Sequence, residues 1–299
     1  MLRWLPAFLK APLTLLLLLL NTLLWCLPLY GVALAKLLFP LPGWRRACTQ
    51  IVLRLAEGWA ATAALIYHHT QKTRWRITGL ESLSHDKSYL VIANHISTVD
   101  VLVLQRVFNR RIPFLKFFAK RELLWFPLLG LAWWALDIPF VRRYSQAEQT
   151  RNPALRGQDL IMARQWCERY RGTPTAIASY PEGTRFTPAK HTQQASPYRH
   201  LLRPKAGGMA FVLGVMGDQL DLWLDVTVVF PDGRTSFWDF IAGRITEIVV
   251  HVEAWPVPGE FVGRDYVNDA AYREAIQTWT RELWEKKDNL IERLLTPSA

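Results

Sequence analysis

Hydrophobic residues are concentrated at the start of the chain. Residues 11–35 contain no charged side chain, and residues 15–20 are an unbroken leucine run. As a helix, this stretch is about 37 Å long at 1.5 Å per residue, which is enough to cross a bilayer. A cleaved signal peptide is the alternative, because residues 32–35 end in an A-x-A-like pattern. The length of the segment and the apolar residues that continue to Pro40 favour a retained anchor.

A second apolar stretch, residues 59–67, is too short to span a bilayer by itself. We expect it to pack with the first segment as a hairpin or to lie in the membrane interface. Basic residues flank the first segment on both sides, so loop charge leaves the orientation open. Residues 1–70 are therefore predicted to be a membrane anchor, and residues 71–299 a single further domain.

Beyond residue 71 the pattern changes to short apolar runs separated by helical ones. Residues 88–93 are almost continuously apolar, as a strand in a sheet covered on both faces requires. The other candidate strands are residues 74–77, 112–118, 138–141, 175–179, 222–230 and 247–252. Helical patterns lie between several of them, so the sequence predicts an α/β fold.

A C-terminal helix is the clearest single element. Its apolar residues recur at steps of three and four and their multiples: Tyr272, Ile276, Trp279, Leu283, Leu290 and Leu294. They fall on one stripe, and charged residues occupy the other faces. We predict that this helix packs on the domain core, with membrane binding as the alternative.

Charge narrows the choice of partners. The chain has a net charge of +11, yet 51% of its residues are hydrophobic, with 14 tryptophans. This combination suits an anionic membrane, where each interfacial Lys or Arg contributes about 1 kcal/mol. The basic residues are spread rather than clustered in a stripe, which argues against nucleic acid. The three cysteines have no metal-ligand spacing and no even count, so we expect no metal site and a reducing, cytoplasm-facing domain.

Residues 94–100, Asn-His-Ile-Ser-Thr-Val-Asp, are the first chemically informative segment. They come directly after the predicted strand, so His95 is expected to face substrate. Asp100, five residues on, can accept the Nδ1 proton of His95, which leaves Nε2 to take a proton from a bound hydroxyl. The spacing alone is weak evidence, since Asp100 could also cap the helix that follows.

Residues 180–185, Tyr-Pro-Glu-Gly-Thr-Arg, follow the predicted strand 175–179. The glycine permits a tight turn with close approach of a ligand. Arg185 offers a planar fork that can hold a phosphate through two hydrogen bonds, and Glu182 could orient that arginine or contact a glycerol hydroxyl. An ordinary polar turn is the alternative.

Taken together, the two segments resemble the motifs of glycerolipid acyltransferases of the lysophosphatidate acyltransferase type. Residues 137–143 and 224–228 are similar to two further motifs of that family, in the same order. The resemblance covers roughly residues 75–230. It implies the glycerolipid acyltransferase fold, an α/β fold with a mixed central sheet flanked by helices, and acyl transfer from a thioester to the sn-2 hydroxyl of lysophosphatidate.

The resemblance also implies residue roles. His95 is implied as the general base, and Asp100 as the residue that orients it. The implied acceptor-binding residues are Arg142, Arg143, Glu182, Gly183, Thr184, Arg185 and Lys205. The implied mechanism needs no cofactor and no metal. Acyl-CoA or acyl-carrier protein is the donor, a lysophospholipid is the acceptor, and backbone N–H groups near His95 hold the oxyanion.

The identity of the acceptor depends on the branch of the family. Thr227 stands where many members have proline, and Tyr180 where phenylalanine is usual. The form of residues 225–228 resembles the lysocardiolipin-type branch, and the length and composition resemble a second lysophosphatidate acyltransferase group of enteric bacteria. We therefore expect lysophosphatidate, or another lysophospholipid such as lysocardiolipin, as acceptor at the cell inner membrane, with the catalytic domain facing the cytoplasm. A catalytically silent membrane scaffold is the alternative from another class.

Overall fold

Two long helices lead into an α/β domain in the computed structural model, which describes residues 2–39, 41–141, 151, 167, 168 and 170–296. The described strands are β1 (Arg74–Thr78), β2 (Tyr89–Ala93), β3 (Leu115–Phe117), β4 (Ala119–Lys120), β5 (Phe140–Val141), β6 (Ala176–Ser179), β7 (Leu222–Val229) and β8 (Glu247–Pro256). The described α-helices are α1 (Ala7–Leu38), α2 (Pro42–Thr70), α3 (Val99–Phe108), α4 (Leu129–Ala135), α5 (Pro188–Gln194), α6 (Gly207–Met216), α7 (Phe237–Ile241) and α8 (Ala270–Leu295).

Six strands form the central sheet, in the order β1-β8-β7-β2-β6-β3. Strands β7, β2, β6 and β3 are parallel to one another. Strand β8 is antiparallel to β7, and β1 runs parallel to β8, so the predicted mixed sheet is confirmed. The predicted run 138–141 contributes differently, because β5 pairs with β4 in a separate two-stranded sheet.

Strand β2 lies at the centre of the core, and all five of its residues are buried. Tyr89 and Val91 face the side of the sheet that is covered by α2 and α3. Leu90 and Ile92 face the side that is covered by α6 and α8. Burial on both faces explains why the sequence of this strand is continuously apolar rather than alternating.

Helix α8 packs on the sheet, as its apolar pattern predicts. Its buried residues are Tyr272, Ile276, Thr280, Leu283, Trp284, Lys287 and Ile291. Leu290 and Leu294, which the pattern placed on the buried stripe, are only half-buried. The buried stripe is thus rotated relative to the predicted one, since Thr280, Trp284 and Ile291 are buried instead.

Helices α1 and α2 pack along each other as a hairpin. The Trp59 indole donates to the Thr22 hydroxyl at 3.2 Å, and the Asn21 amide donates to the Trp59 carbonyl at 3.2 Å. Gly58 lets the helices approach closely, because a Cβ at this position would lie 2.3 Å from the Trp25 ring. The apolar stretch 59–67 is therefore part of a longer helix.

The hairpin lies against the α/β domain rather than projecting from it. Leu15 and Leu18 of α1 pack on the sheet core, and Cys26 and Leu29 pack with α4. The outer side of α1 leaves large apolar side chains exposed: Leu16, Leu19, Leu20, Leu23, Leu24 and Leu27. Within the described residues, α1 is the helix that is long and apolar enough to cross a membrane.

Candidate active site

The turn that carries His95 is anchored to the neighbouring strand. The amide of Asn94 donates to the Val228 carbonyl at 2.9 Å, and the Val228 N–H donates back to Asn94 Oδ1 at 2.8 Å. Asn94 is fully buried, so both bonds lie away from solvent. This pair of hydrogen bonds fixes the point at which the chain leaves β2, and it places His95 at the carboxyl edge of the parallel strands.

His95 and Asp100 form the predicted pair. Nδ1 of His95 lies 2.9 Å from Asp100 Oδ2. Because the carboxylate accepts, Nδ1 carries the proton and Nε2 keeps its lone pair. Within the described residues Nε2 makes no hydrogen bond, and 18% of the side chain is exposed, so this nitrogen is accessible as a base.

Asp100 is fully buried in the first turn of α3. Its Oδ2 also accepts the N–H groups of Ile96 at 2.7 Å and Ser97 at 2.8 Å. Burial raises the pKa of this carboxyl, while the bonds to His95 and Ser97 lower it. The two interpretations that the sequence left open therefore both apply, since one carboxylate orients His95 and also holds the turn at the start of α3.

The backbone N–H groups around His95 are already engaged. Those of Ile96 and Ser97 donate to Asp100, and that of His95 donates to Glu182 Oε1 at 2.8 Å. The expectation that N–H groups of this turn hold an oxyanion is therefore not met at residues 95–97. Each of these three N–H groups already has a carboxylate acceptor, so an oxyanion would have to displace Asp100 or Glu182 to bind there.

Glu182 connects two distant segments beneath the site. Only 1% of the residue is exposed. Its Oε1 accepts the His95 N–H, and its Oε2 accepts the Leu202 N–H at 2.9 Å. Burial raises the pKa of Glu182 to about 7, although these two bonds lower it. The geometry gives Glu182 a positioning role, and its predicted contact with the acceptor stays a prediction.

The turn that follows β6 places cationic groups near His95. Gly183 adopts φ +67° and donates to the Tyr180 carbonyl at 2.9 Å, which closes the turn. The exposed Arg185 donates to the Thr98 hydroxyl at 2.5 Å. The Phe186 N–H donates to the His95 carbonyl at 2.7 Å, so the two motif segments are joined directly.

Two lysines contact this turn from outside it: Lys190 lies in α5, and Lys205 precedes α6. Lys205 is exposed, and its N–H donates to the Pro181 carbonyl at 2.7 Å. The ammonium of Lys190 donates to the Thr184 hydroxyl at 2.7 Å and to the Arg185 carbonyl at 3.1 Å. The structure thus brings Glu182, Gly183, Thr184, Arg185 and Lys205 together around His95. Arg142 and Arg143 lie outside the described residues.

Aromatic rings form one wall of the site. Tyr180 stacks on His95 with ring centroids 4.2 Å apart, and Phe117 stacks on Tyr180 at 5.9 Å. The Tyr180 hydroxyl is buried and has no hydrogen-bond partner among the described residues. Burial raises the pKa of Tyr180 well above its ordinary value. The stack restricts rotation of the imidazole, because Tyr180 covers one face of the ring while Asp100 holds its Nδ1.

Sequence reasoning missed three residues of this assembly: Lys190, Tyr180 as the stacking partner, and Lys287. The buried ammonium of Lys287 donates to the carboxylate of Asp225, to the Val226 carbonyl at 2.8 Å and to the Thr227 hydroxyl at 3.2 Å. A signal for it was present, because Lys287 lies four residues after Leu283 and three before Leu290, on the predicted apolar stripe. A lysine at such a position requires a buried acceptor.

The chain is similar to known proteins. The Acyltransferase family profile matches residues 74–230. The 1-acyl-sn-glycerol-3-phosphate acyltransferase gamma of Mus musculus is 26% identical over 259 residues, which cover 82% of this chain and 61% of that protein. The delta enzyme of Mus musculus is 24% identical over 255 residues, covering 80% and 59%. The chain therefore spans about three fifths of the length of these relatives.

A solved structure supports the fold. The 1-acyl-sn-glycerophosphate (LPA) acyltransferase PlsC from Thermotoga maritima superposes with a TM-score of 0.51 at 18% identity, covering 94% of this chain and 99% of that one. This similarity confirms the predicted fold class. Because the family match includes both motif segments and extends over more than half of the chain, this protein belongs to the acyltransferase family.

Proposed function

We propose that this protein transfers an acyl group from acyl-CoA or acyl-carrier protein to the sn-2 hydroxyl of lysophosphatidate, forming phosphatidate. The observation that carries the proposal is the His95–Asp100 pair at 2.9 Å, with Nε2 of His95 accessible. The names of the relatives support lysophosphatidate as the acceptor. The exposed Arg185 beside this pair supplies the charge that a phosphate monoester requires.

The reaction follows from the position of the base. Nε2 of His95 takes the proton of the acceptor hydroxyl, and the oxygen attacks the carbonyl carbon of the thioester. The C–S bond of the tetrahedral intermediate then breaks, and the proton on His95 passes to the leaving thiolate. The buried carboxylate of Asp100 stabilises the imidazolium that exists between these two steps. The nucleophile belongs to the substrate, so no acyl-enzyme forms.

The exposed apolar side chains support a membrane location. The segment before α4 also exposes apolar side chains, including Trp125, of which 88% is exposed. The Tyr30 hydroxyl of α1 donates to the Leu128 carbonyl, which links the two surfaces. Large apolar patches on this scale mark membrane or protein contacts. We place the protein at the cell inner membrane, with the catalytic domain on the cytoplasmic side.

The test is acyl transfer from labelled oleoyl-CoA to lysophosphatidate, with the wild type and a His95→Ala variant. Product with the wild type alone is expected, and retention of most activity by His95→Ala would remove His95 as the base. An acceptor panel that includes monolysocardiolipin identifies the preferred lysophospholipid. Preference for a different acceptor would contradict the assignment of lysophosphatidate.

Arg185→Ala tests the phosphate contact. We expect a higher KM for lysophosphatidate, by about tenfold for the loss of one charge-assisted contact. Arg171→Ala is the matched control, because Arg171 is exposed, precedes β6 at its amino end and pairs with Asp218 at 3.3 Å. An unchanged KM in Arg185→Ala would refute the contact, and an equal rise in both variants would show that only net charge matters.

A further inference from the structure

A cavity lies at the edge of the sheet opposite His95. Its volume is about 220 Å³, and it is lined by the start of α2 and by the residues that precede β3 and β6. Thr175 precedes β6 and lines the cavity, whereas Tyr180 follows β6 and stacks on His95. At about 3.3 Å per residue, a strand of this length separates the two by roughly 16 Å. The cavity is therefore distinct from the catalytic site.

The charged side chains that line this cavity are mostly cationic among the described residues. They are Arg45, Arg46 and Lys116, with Asp137 as the one described carboxylate. Asp137 is itself bound by Lys36 at 3.0 Å. Within the described residues, neither Arg45 nor Arg46 has an ion-pair partner. Both lie near the N-terminus of α2, whose first turn carries no acid, and cations there are opposed by the helix dipole. An anion in the cavity would offset both effects.

One side chain that lines the cavity has no hydrogen-bond partner among the described residues, and a ligand could supply one. Thr175 is only 2% exposed, and its hydroxyl has no hydrogen-bond partner among the described residues. Buried hydroxyls are nearly always bonded, so an acceptor atom of a ligand would complete the bonding of this one. Lys116 is equally buried, with its ammonium 3.4 Å from the centre of the Tyr170 ring. Burial lowers the pKa of Lys116 to about 7.

The surroundings of the cavity indicate the source of the anion. Phe39 and Leu41, between α1 and α2, and Trp44, in the first turn of α2, are exposed next to the two arginines in sequence. The rings of Phe39 and Trp44 meet edge to face, with centroids 5.9 Å apart. Exposed aromatic and apolar side chains beside arginine are typical of the headgroup layer of a membrane.

We propose that this cavity binds the phosphate of an anionic phospholipid headgroup, with Arg45, Arg46 and Lys116 as cations and the Thr175 hydroxyl as a donor. A volume of 220 Å³ is ample, since one water requires roughly 10–15 Å³ on the same measure. The lipid is bound and not consumed, because the cavity lies away from His95. A headgroup held between α2 and the amino edge of the sheet would stabilise the hairpin against the domain.

The experiment is a thermal unfolding titration of the full chain in dodecylmaltoside micelles. Added dioleoylphosphatidylglycerol should raise Tm, and dioleoylphosphatidylcholine should not. Arg46→Gln and Thr175→Val should each weaken the apparent Kd, by about tenfold and about threefold respectively. Arg54→Gln is the matched control, because Arg54 is an exposed arginine of α2 that does not line the cavity; it should stay within about twofold of the wild type.

The remaining outcomes would overturn either the binding site or the assignment of its ligand as a lipid headgroup. Thr175→Val replaces an unpartnered hydroxyl by a methyl group of the same shape, so it should fold normally. Wild-type affinity in both Arg46→Gln and Thr175→Val would overturn the site. A full Tm shift with inorganic phosphate alone would overturn the lipid source. His95→Ala should bind phosphatidylglycerol as the wild type does, and loss of binding there would place the lipid at the catalytic site and overturn the proposal.

Discussion

The Asp100→Asn substitution isolates the charge of the carboxylate that orients His95. An asparagine oxygen in the place of Oδ2 can still accept from His95, Ile96 and Ser97. The amide nitrogen then occupies the place of Oδ1, which has no partner among the described residues. The substitution therefore keeps the turn and the imidazole tautomer. It removes the negative charge and adds two buried amide hydrogens that have no acceptor among the described residues.

The size of the effect follows from Coulomb's law. When His95 takes the proton of the hydroxyl, its positive charge lies about 4 Å from the carboxylate charge, which is worth about 4 kcal/mol at an effective dielectric constant of about 20. Loss of that stabilisation in the transition state lowers kcat by about 10³. The KM for either substrate should change little, because neither substrate contacts Asp100.

The assay is steady-state acyl transfer with saturating substrates, alongside near-ultraviolet circular dichroism to check the fold. Asp269→Asn is the control, because Asp269 caps α8 through the Tyr272 N–H at 2.9 Å and lies outside the site. It should leave kcat unchanged. A folded Asp100→Asn variant with kcat within tenfold of the wild type would refute the electrostatic role of Asp100.

Three further predictions concern stability and packing. The pKa of Glu182 is about 7 in the folded protein against 4.5 unfolded, so its stabilising contribution is complete below about pH 4.5 and is lost as pH rises to about 7. In urea unfolding in detergent, the difference in the free energy of unfolding between wild type and Glu182→Gln should change by about 3 kcal/mol from pH 4.5 to pH 7. A difference that stays constant over this range would contradict the prediction. Tyr180→Phe should keep kcat and raise the free energy of unfolding by up to about 1 kcal/mol, since it removes a buried unpartnered hydroxyl. Tyr180→Ala should lower kcat because the stack on His95 is lost. Equal kcat in both variants would show that the stack does not contribute to catalysis. Lys287→Met should lower the free energy of unfolding by about 3–5 kcal/mol, because it leaves Asp225 buried without a cation. The double variant with Asp225→Asn should recover part of this loss in the same unfolding assay. No recovery would argue against the ion pair.

Much of the fold could be predicted because it depends on local pattern. Strand β2 was recognisable from its apolar run, and α8 from its helical spacing. The His95–Asp100 pair could be predicted because the two residues lie one turn apart. Their contact is set by the exit of a strand into a helix, which the sequence shows directly.

The rest depended on contacts between residues distant in sequence. Glu182 binds the N–H of Leu202, 20 residues away, and that of His95, 87 residues away. A carboxylate in a glycine turn has the same local sequence whether it faces a ligand or the protein interior. The occupied N–H groups at residues 95–97 were missed for a related reason, because free and bonded backbone groups cannot be told apart in a sequence.

The hairpin of α1 and α2 sets how the activity must be measured. Its outer face is apolar, and its inner face is packed on the α/β domain. At the membrane location proposed above, the candidate active site would therefore move with the lipid surface. An enzyme held in this way samples acceptor by lateral diffusion within one plane. Its saturation then depends on the mole fraction of lysophosphatidate in the surface, and diluting that surface with inert lipid should slow turnover at constant bulk concentration.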